Sequence, residues 1–210
     1  MTIKNFFRTT IVTVLLCLLP SIASANPLVV FFGDSITSNW GIYRGQFFSA
    51  NNFLCKGVSG ETTGSMLKRY ASDVIDQHPQ AVVILAGTND IAQKDGVLVT
   101  AEQISSNIFF MAKMAQSAGI KVVLCSVLPS SGYGWNNSVV PTNLIPTLNT
   151  IIEEWAVNNN CEYVDYYSMF VQADGSLDPK FTTDNCHLVT EGYYIMEQAI
   201  MPILESMLNK

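Results

Sequence analysis

The sequence predicts an α/β domain: a doubly wound, parallel sheet of five strands flanked by helices. Three observations carry this. Five short runs rich in β-branched residues recur along the chain, and amphipathic stretches of helical length separate them. The middle runs are apolar almost without interruption, as strands buried on both faces of a parallel sheet must be.

The predicted strands cover residues 28–32, 53–58, 81–86, 121–127 and 162–165. Helical patterns cover 62–71, 100–118, 142–158 and 190–208. The second opens on a Thr100/Gln103 capping box and stops at Gly119. The last contains Pro202, which is expected to kink it or end its regular part. Residues 87–99, 129–141 and 172–189 are the longest irregular stretches. No repeat, low-complexity tract or linker divides the chain.

The first 25 residues stand apart from this pattern. Lys4 and Arg8 precede an apolar run over 11–19, and Ala23-Ser24-Ala25 follows as a small-residue cleavage pattern. Residues 1–25 therefore read as a secretory signal peptide and 26–210 as one domain. The apolar run is shorter than the roughly 20 residues that span a bilayer. Leu16 before Cys17 is too bulky for a lipoprotein signal, so no lasting membrane anchor is expected. The mature chain is expected to be exported, to a periplasm or outside the cell.

Cleavage leaves 9 Lys and Arg against 17 Asp and Glu, a net charge of −8. Such a surface repels nucleic acid and anionic membrane, which excludes both as favoured partners. Export permits disulfides, and Cys55, Cys125, Cys161 and Cys186 allow three full pairings. No C-x-x-C pattern occurs, which argues against thioredoxin-like redox chemistry and a thiolate zinc site. Cys55 and Cys125 fall in strand-like runs and also fit as small buried hydrophobes.

In open α/β sheets, ligands gather beyond the carboxyl ends of the strands. Only two histidines exist. His78 precedes Pro79 and leads into the third strand, at the wrong end of the sheet. His187 follows the last strand, three residues after Asp184, so the carboxylate can hold its ring in one tautomer. A helix-capping aspartate beside an incidental histidine is the competing reading. Ser35 follows the first strand in Phe31-Phe32-Gly33-Asp34-Ser35-Ile36-Thr37, a tight turn begun by glycine. A serine is a weak nucleophile without a base, and His187 is the one sensible supplier. A plain turn, with Ser35 or Thr37 capping a helix, is the alternative.

Gly57-Val58-Ser59-Gly60-Glu61-Thr62 follows the second strand and Gly87-Thr88-Asn89-Asp90 the third. Backbone N–H groups of Ser35 and Gly60, with the Asn89 amide, would form an oxyanion hole. Each block taken singly is also a common turn. Their conjunction on successive strand ends is what points to acyl transfer.

These four blocks, in this order and across nearly the whole mature chain, resemble the SGNH hydrolases, also called GDSL esterases and lipases. The resemblance implies a three-layer α/β/α, flavodoxin-like fold without a cofactor; two distant histidines and no clustered carboxylates argue against a metal-dependent phosphoesterase, the third reading. It implies nucleophile Ser35, base His187, orienting acid Asp184 and oxyanion donors Ser35, Gly60 and Asn89. Asn185 stands where the family usually has glycine after the aspartate, which puts the local loop shape in doubt.

Trp40, Tyr43, Tyr133 and Trp135 lie near the predicted rim and are candidates for stacking on a sugar ring, or for ordinary packing beneath loops. Short loops leave no obvious lid or acyl tunnel, which favours a small acyl group. The expected activity is hydrolysis of short-chain esters, with O-acetyl groups of glycans as the leading substrate. A lysophospholipase or thioesterase is the alternative enzyme, and a catalytically dead carbohydrate-binding protein the alternative of another class.

Overall fold

The computed structural model describes residues 28–136 and 138–208. Its centre is a five-stranded, all-parallel sheet of β1 (Val29–Gly33), β2 (Phe53–Gly57), β3 (Ala81–Leu85), β4 (Lys121–Cys125) and β5 (Glu162–Val164), in the order β2-β1-β3-β4-β5. The order reverses direction at β1, so the crevice between the carboxyl ends of β1 and β3 is the topological switch point.

Strand periodicity divides the core. Val30, Phe32, Val82, Ile84, Val122 and Leu124 face one layer, and Val29, Phe31, Val83, Leu85, Val123 and Cys125 the other. The first layer is covered by α3 (Thr63–Asp73), α5 (Ala101–Ser117) and α6 (Leu144–Asn158). The second is covered by α1 (Ser35–Tyr43), α2 (Gly45–Ala50) and α8 (Thr190–Leu208). The short helices α4 (Thr88–Ile91) and α7 (Tyr167–Phe170) complete the set. Continuous apolar strands between two helical layers are what the sequence pattern demanded.

The capping box of α5 is present in both directions, Thr100 with Gln103. Two local expectations change. The tight turn after β1 is the start of helix α1, and its N-cap is Asp34 rather than Ser35 or Thr37. Of the two effects expected of Pro202, ending the helix is not seen: α8 continues through it to Leu208. Ile200 and Leu204, buried on either side of it, hold the helix against the sheet and outweigh the one lost hydrogen bond. Residues 1–25, read as a signal peptide, lie outside the described residues.

Candidate active site

Two glycines bring the first block together. A Cβ on Gly33 would overlap Thr37 Oγ1 and the Leu85 carbonyl, and one on Gly57 would overlap the backbone of Ser38. Helix α1 therefore lies directly against the ends of β1 and β2, and β3 closes on Gly33 from the other side. Its cap, Asp34, accepts from the Ile36 N–H at 2.9 Å. Ser35 becomes the first helical residue, at the switch point, where the opening N–H groups of the helix have no partner within it.

Ser35 Oγ lies 2.8 Å from His187 Nε2, across 152 residues of sequence. On the other side of the ring, His187 Nδ1 lies 2.7 Å from Asp184 Oδ2. With Nδ1–H donated to the carboxylate, Nε2 is left to accept the serine proton. Asp184 Oδ1 also accepts the backbone N–H groups of Cys186 at 3.0 Å and His187 at 2.7 Å. Partial burial pushes the Asp184 carboxyl up, but its bonds to the His187 ring, the His187 N–H and the Cys186 N–H outweigh this and hold it below the usual carboxylate range.

Asn185 explains its own departure from glycine. It adopts a left-handed conformation, φ 61°, which asparagine tolerates better than most residues. Its side chain then braces the loop, accepting from the Leu177 N–H at 3.0 Å and donating to Ser131 Oγ at 2.9 Å.

The remaining blocks converge on the same point. Gly60 is left-handed at φ 80°, with nothing nearer its Cβ position than Lys94 Cε at 3.8 Å. Asn89 is buried and donates to the Glu61 carbonyl at 3.0 Å. Asp90 accepts the Thr63 N–H at 2.8 Å and its hydroxyl at 2.6 Å, tying the third block to the helix after the second. A cavity of about 400 Å³ has Ser35, Gly60, Asn89 and His187 on its wall, together with Asn39, Ser59, Lys94 and Trp135.

The four aromatic candidates separate. Trp135, 43% exposed, sits on the cavity wall with its ring 6.2 Å from that of His187. Tyr43, 52% exposed, borders a neighbouring cavity shared with Asn39 and His187. Trp40 and Tyr133 are core residues, each 1% exposed, and neither contacts a substrate space. Trp40 lies one turn after buried Ile36 on the inner face of α1, stacks on Tyr193 and donates to Glu197 Oε1 at 3.1 Å. Tyr133 is covered by the ring of Trp135, 5.1 Å away. Proximity in sequence to the rim did not reveal which way either ring turned.

The sequence singled out neither Asn39, Lys94 nor Arg69. Arg69 donates to Glu61 Oε2 at 2.6 Å, to the Lys56 carbonyl at 3.0 Å and to the Gly33 carbonyl at 3.0 Å. It thus joins the ends of β1 and β2 to the loop that carries Gly60. An i,i+4 partner, Asp73, was its one visible signal, and that pattern is common on exposed helices.

Residues 31–195 match the model of the GDSL-like Lipase/Acylhydrolase family. A GDSL-like lipase from Bacteroides thetaiotaomicron is 37% identical, with a TM-score of 0.83 over 86% of this chain and 89% of that one. An acetylxylan esterase from Geobacillus stearothermophilus is 18% identical, with a TM-score of 0.68 over 84% of this chain and 93% of that one, and shares the fold. The uncharacterized lipoprotein YqeF of Bacillus subtilis is 30% identical over 117 residues. The chain spans about half the length of that curated relative, 48%. The strand order β2-β1-β3-β4-β5, the four motif blocks gathered around one cavity and the family match over most of the length agree: this chain belongs to the GDSL-like lipase/acylhydrolase family.

Proposed function

We propose that the protein is an exported serine esterase that removes short acyl groups, acetyl foremost, from carbohydrate esters. The observation that carries the chemistry is the unbroken chain from Ser35 Oγ to His187 Nε2 at 2.8 Å and from His187 Nδ1 to Asp184 Oδ2 at 2.7 Å.

In this reading Ser35 attacks the ester carbonyl as His187 takes its proton. The tetrahedral oxyanion is met by the N–H groups of Ser35 and Gly60 and by the Asn89 amide. His187 returns the proton to the departing alcohol. Water then attacks the acyl-enzyme as His187 takes its proton, and His187 gives that proton to Ser35 Oγ as the acid departs. Asp184 holds the ring in the required tautomer and stabilises the imidazolium.

Short acyl groups are favoured by the small, open cavity, whose wall carries no aliphatic side chain of valine size or larger to hold a long acyl chain. Carbohydrate is favoured by Trp135 and Tyr43, exposed on either side of His187. The acetylxylan esterase that shares the fold acts on such an ester. Export is supported by the signal-like residues 1–25 and by the name of the lipoprotein relative.

The test is a fluorophosphonate probe followed by an ester panel. The probe should label Ser35, and Ser35→Ala should abolish both labelling and hydrolysis of p-nitrophenyl acetate in a folded protein. Turnover should fall from acetate to palmitate, and acetylated xylan should release acetate. Peak activity on palmitate would replace this substrate with a lipid. Labelling without turnover of any ester would favour a binding protein.

A further inference from the structure

We propose that Lys94 and Trp135 form a subsite for a carboxylate carried by the ester substrate, an inference that rests on the esterase reading above. Lys94 is the one residue on the cavity wall with a permanent charge. Its ammonium lies 5.8 Å from the centre of the Trp135 ring, and among the described residues no carboxylate is within ion-pair distance of it.

The nearby acids are already engaged. Asp95 accepts from Thr62 Oγ1 at 2.7 Å, Asp90 holds Thr63, and Glu61 is bound by Arg69 at 2.6 Å. The threonine hydroxyls leave Asp90 and Asp95 charged, but neither is within ion-pair distance of Lys94, whose ammonium stays open to a ligand.

The wall is also built rather than draped. The Lys94 N–H donates to the Asn89 carbonyl at 2.9 Å, which fixes the lysine backbone to the proposed oxyanion residue. Gln93, just before it, is left-handed at φ 54°, a conformation that glutamine seldom adopts. Asn136 Nδ2 donates to the Ala92 carbonyl at 3.1 Å and joins the Trp135 loop to the Lys94 loop. The lysine stem passes Gly60, so an anion at its ammonium sits beside the reacting carbonyl, not on it.

The Trp135 face next to that cation suits a ring bearing a carboxylate, such as a uronate or an aryl acid. The surface as a whole is acidic and repels such a ligand at long range, so discrimination has to come from this local cation. The carboxylate can belong to the alcohol half or to the acyl half of the ester.

Two substrate pairs separate these. For the alcohol half, 4-acetoxybenzoate is compared with its methyl ester; for the acyl half, monophenyl succinate with phenyl pentanoate. The ratio of kcat/KM, anionic over neutral, should fall about five-fold in Lys94→Met for at least one pair and further in Lys94→Glu. High salt should lower the same ratio in the unaltered enzyme. The pair that responds identifies the half. Ratios unchanged by both substitutions, or anionic and neutral rates that fall together, overturn the subsite.

A binding measurement keeps this separate from the esterase reading. In Ser35→Ala, isothermal titration calorimetry should report tighter binding of 4-acetamidobenzoate than of its methyl ester, and adding Lys94→Met should remove that preference. Carboxylate preference in a protein that hydrolyses no ester retains the subsite and removes the esterase. Ester hydrolysis with no carboxylate preference does the reverse.

Discussion

Ser35 and His187 meet at 2.8 Å but reach that point by opposite routes. Ser35 is carried by the buried end of β1 and the first turn of α1, wedged in place by the backbone approach at Gly33 and Gly57. His187 sits on an irregular loop, with 29% of its side chain exposed, and is held by hydrogen bonds that begin within three residues of it. The sheet places one partner through long-range packing. A local turn places the other.

The largest effect should come from the acid that makes that turn. Asp184 both orients the ring through Oδ2 and folds the loop through Oδ1. Asp184→Asn keeps an acceptor for the backbone but offers the ring an amide that cannot accept from Nδ1–H, so kcat/KM should fall about 10³–10⁴-fold. Asp184→Ala removes both jobs and should lose at least as much, with a change in near-ultraviolet circular dichroism that Asp184→Asn lacks. A negligible loss in both would mean that a backbone carbonyl orients His187. Because its pKa is depressed, Asp184 stays ionised until the pH falls below the ordinary carboxylate range. Loss of activity above about pH 4 therefore has to come from another group.

On the rigid side, Asn89→Ala should cost about 10²–10³-fold in kcat with little change in KM, as removal of one oxyanion donor does elsewhere. Asn89 also donates to the Glu61 carbonyl. Thermal unfolding must accompany the kinetics, and a large fall in Tm with intact kcat would assign Asn89 to structure alone.

The same contrast governs how much of the site could be read from the sequence. The alternation of strands and helices, the capping box and the four blocks are local or periodic signals, and the structure carries each of them. The inward turn of Trp40 and Tyr133 was not legible, because it depends on partners such as Glu197, 157 residues from Trp40. Lys94 and Arg69 were missed for the same reason. Their importance lies in the loop and strand ends they reach, which no spacing in the sequence encodes.

The two aspartates of the site make a further, smaller difference measurable. Complete burial pushes the Asp34 carboxyl up to about 6, against the opposing pull of the Ile36 N–H, whereas Asp184 is shifted down. The folded state thus holds the Asp34 proton where the unfolded chain has lost it, and stability falls as pH rises from about 4 to 6. Asp34→Asn preserves a good N-cap and removes the charge. It should stabilise the fold by up to about 3 kcal/mol at pH 7.5 and by almost nothing at pH 4, as read from urea denaturation. An equal effect at both pH values would mean that Asp34 is not held protonated by the fold.

The smallest expected effect tests whether the His187 loop needs a covalent tie. Cys55, Cys125, Cys161 and Cys186 are all free thiols, so none of the three possible pairings holds the loop. Cys186, next to His187, instead packs in the core at 3% exposure, and burial raises its thiol well above the ordinary range. It anchors the loop as a small hydrophobe while Asp184 and Asn185 shape it. Dithiothreitol should therefore leave both kcat/KM and Tm unchanged. Cys186→Ala, by contrast, opens a small cavity beneath the histidine and should lower Tm by a few degrees. Loss of activity on reduction alone would show that a disulfide, and not local hydrogen bonding, sets the position of His187.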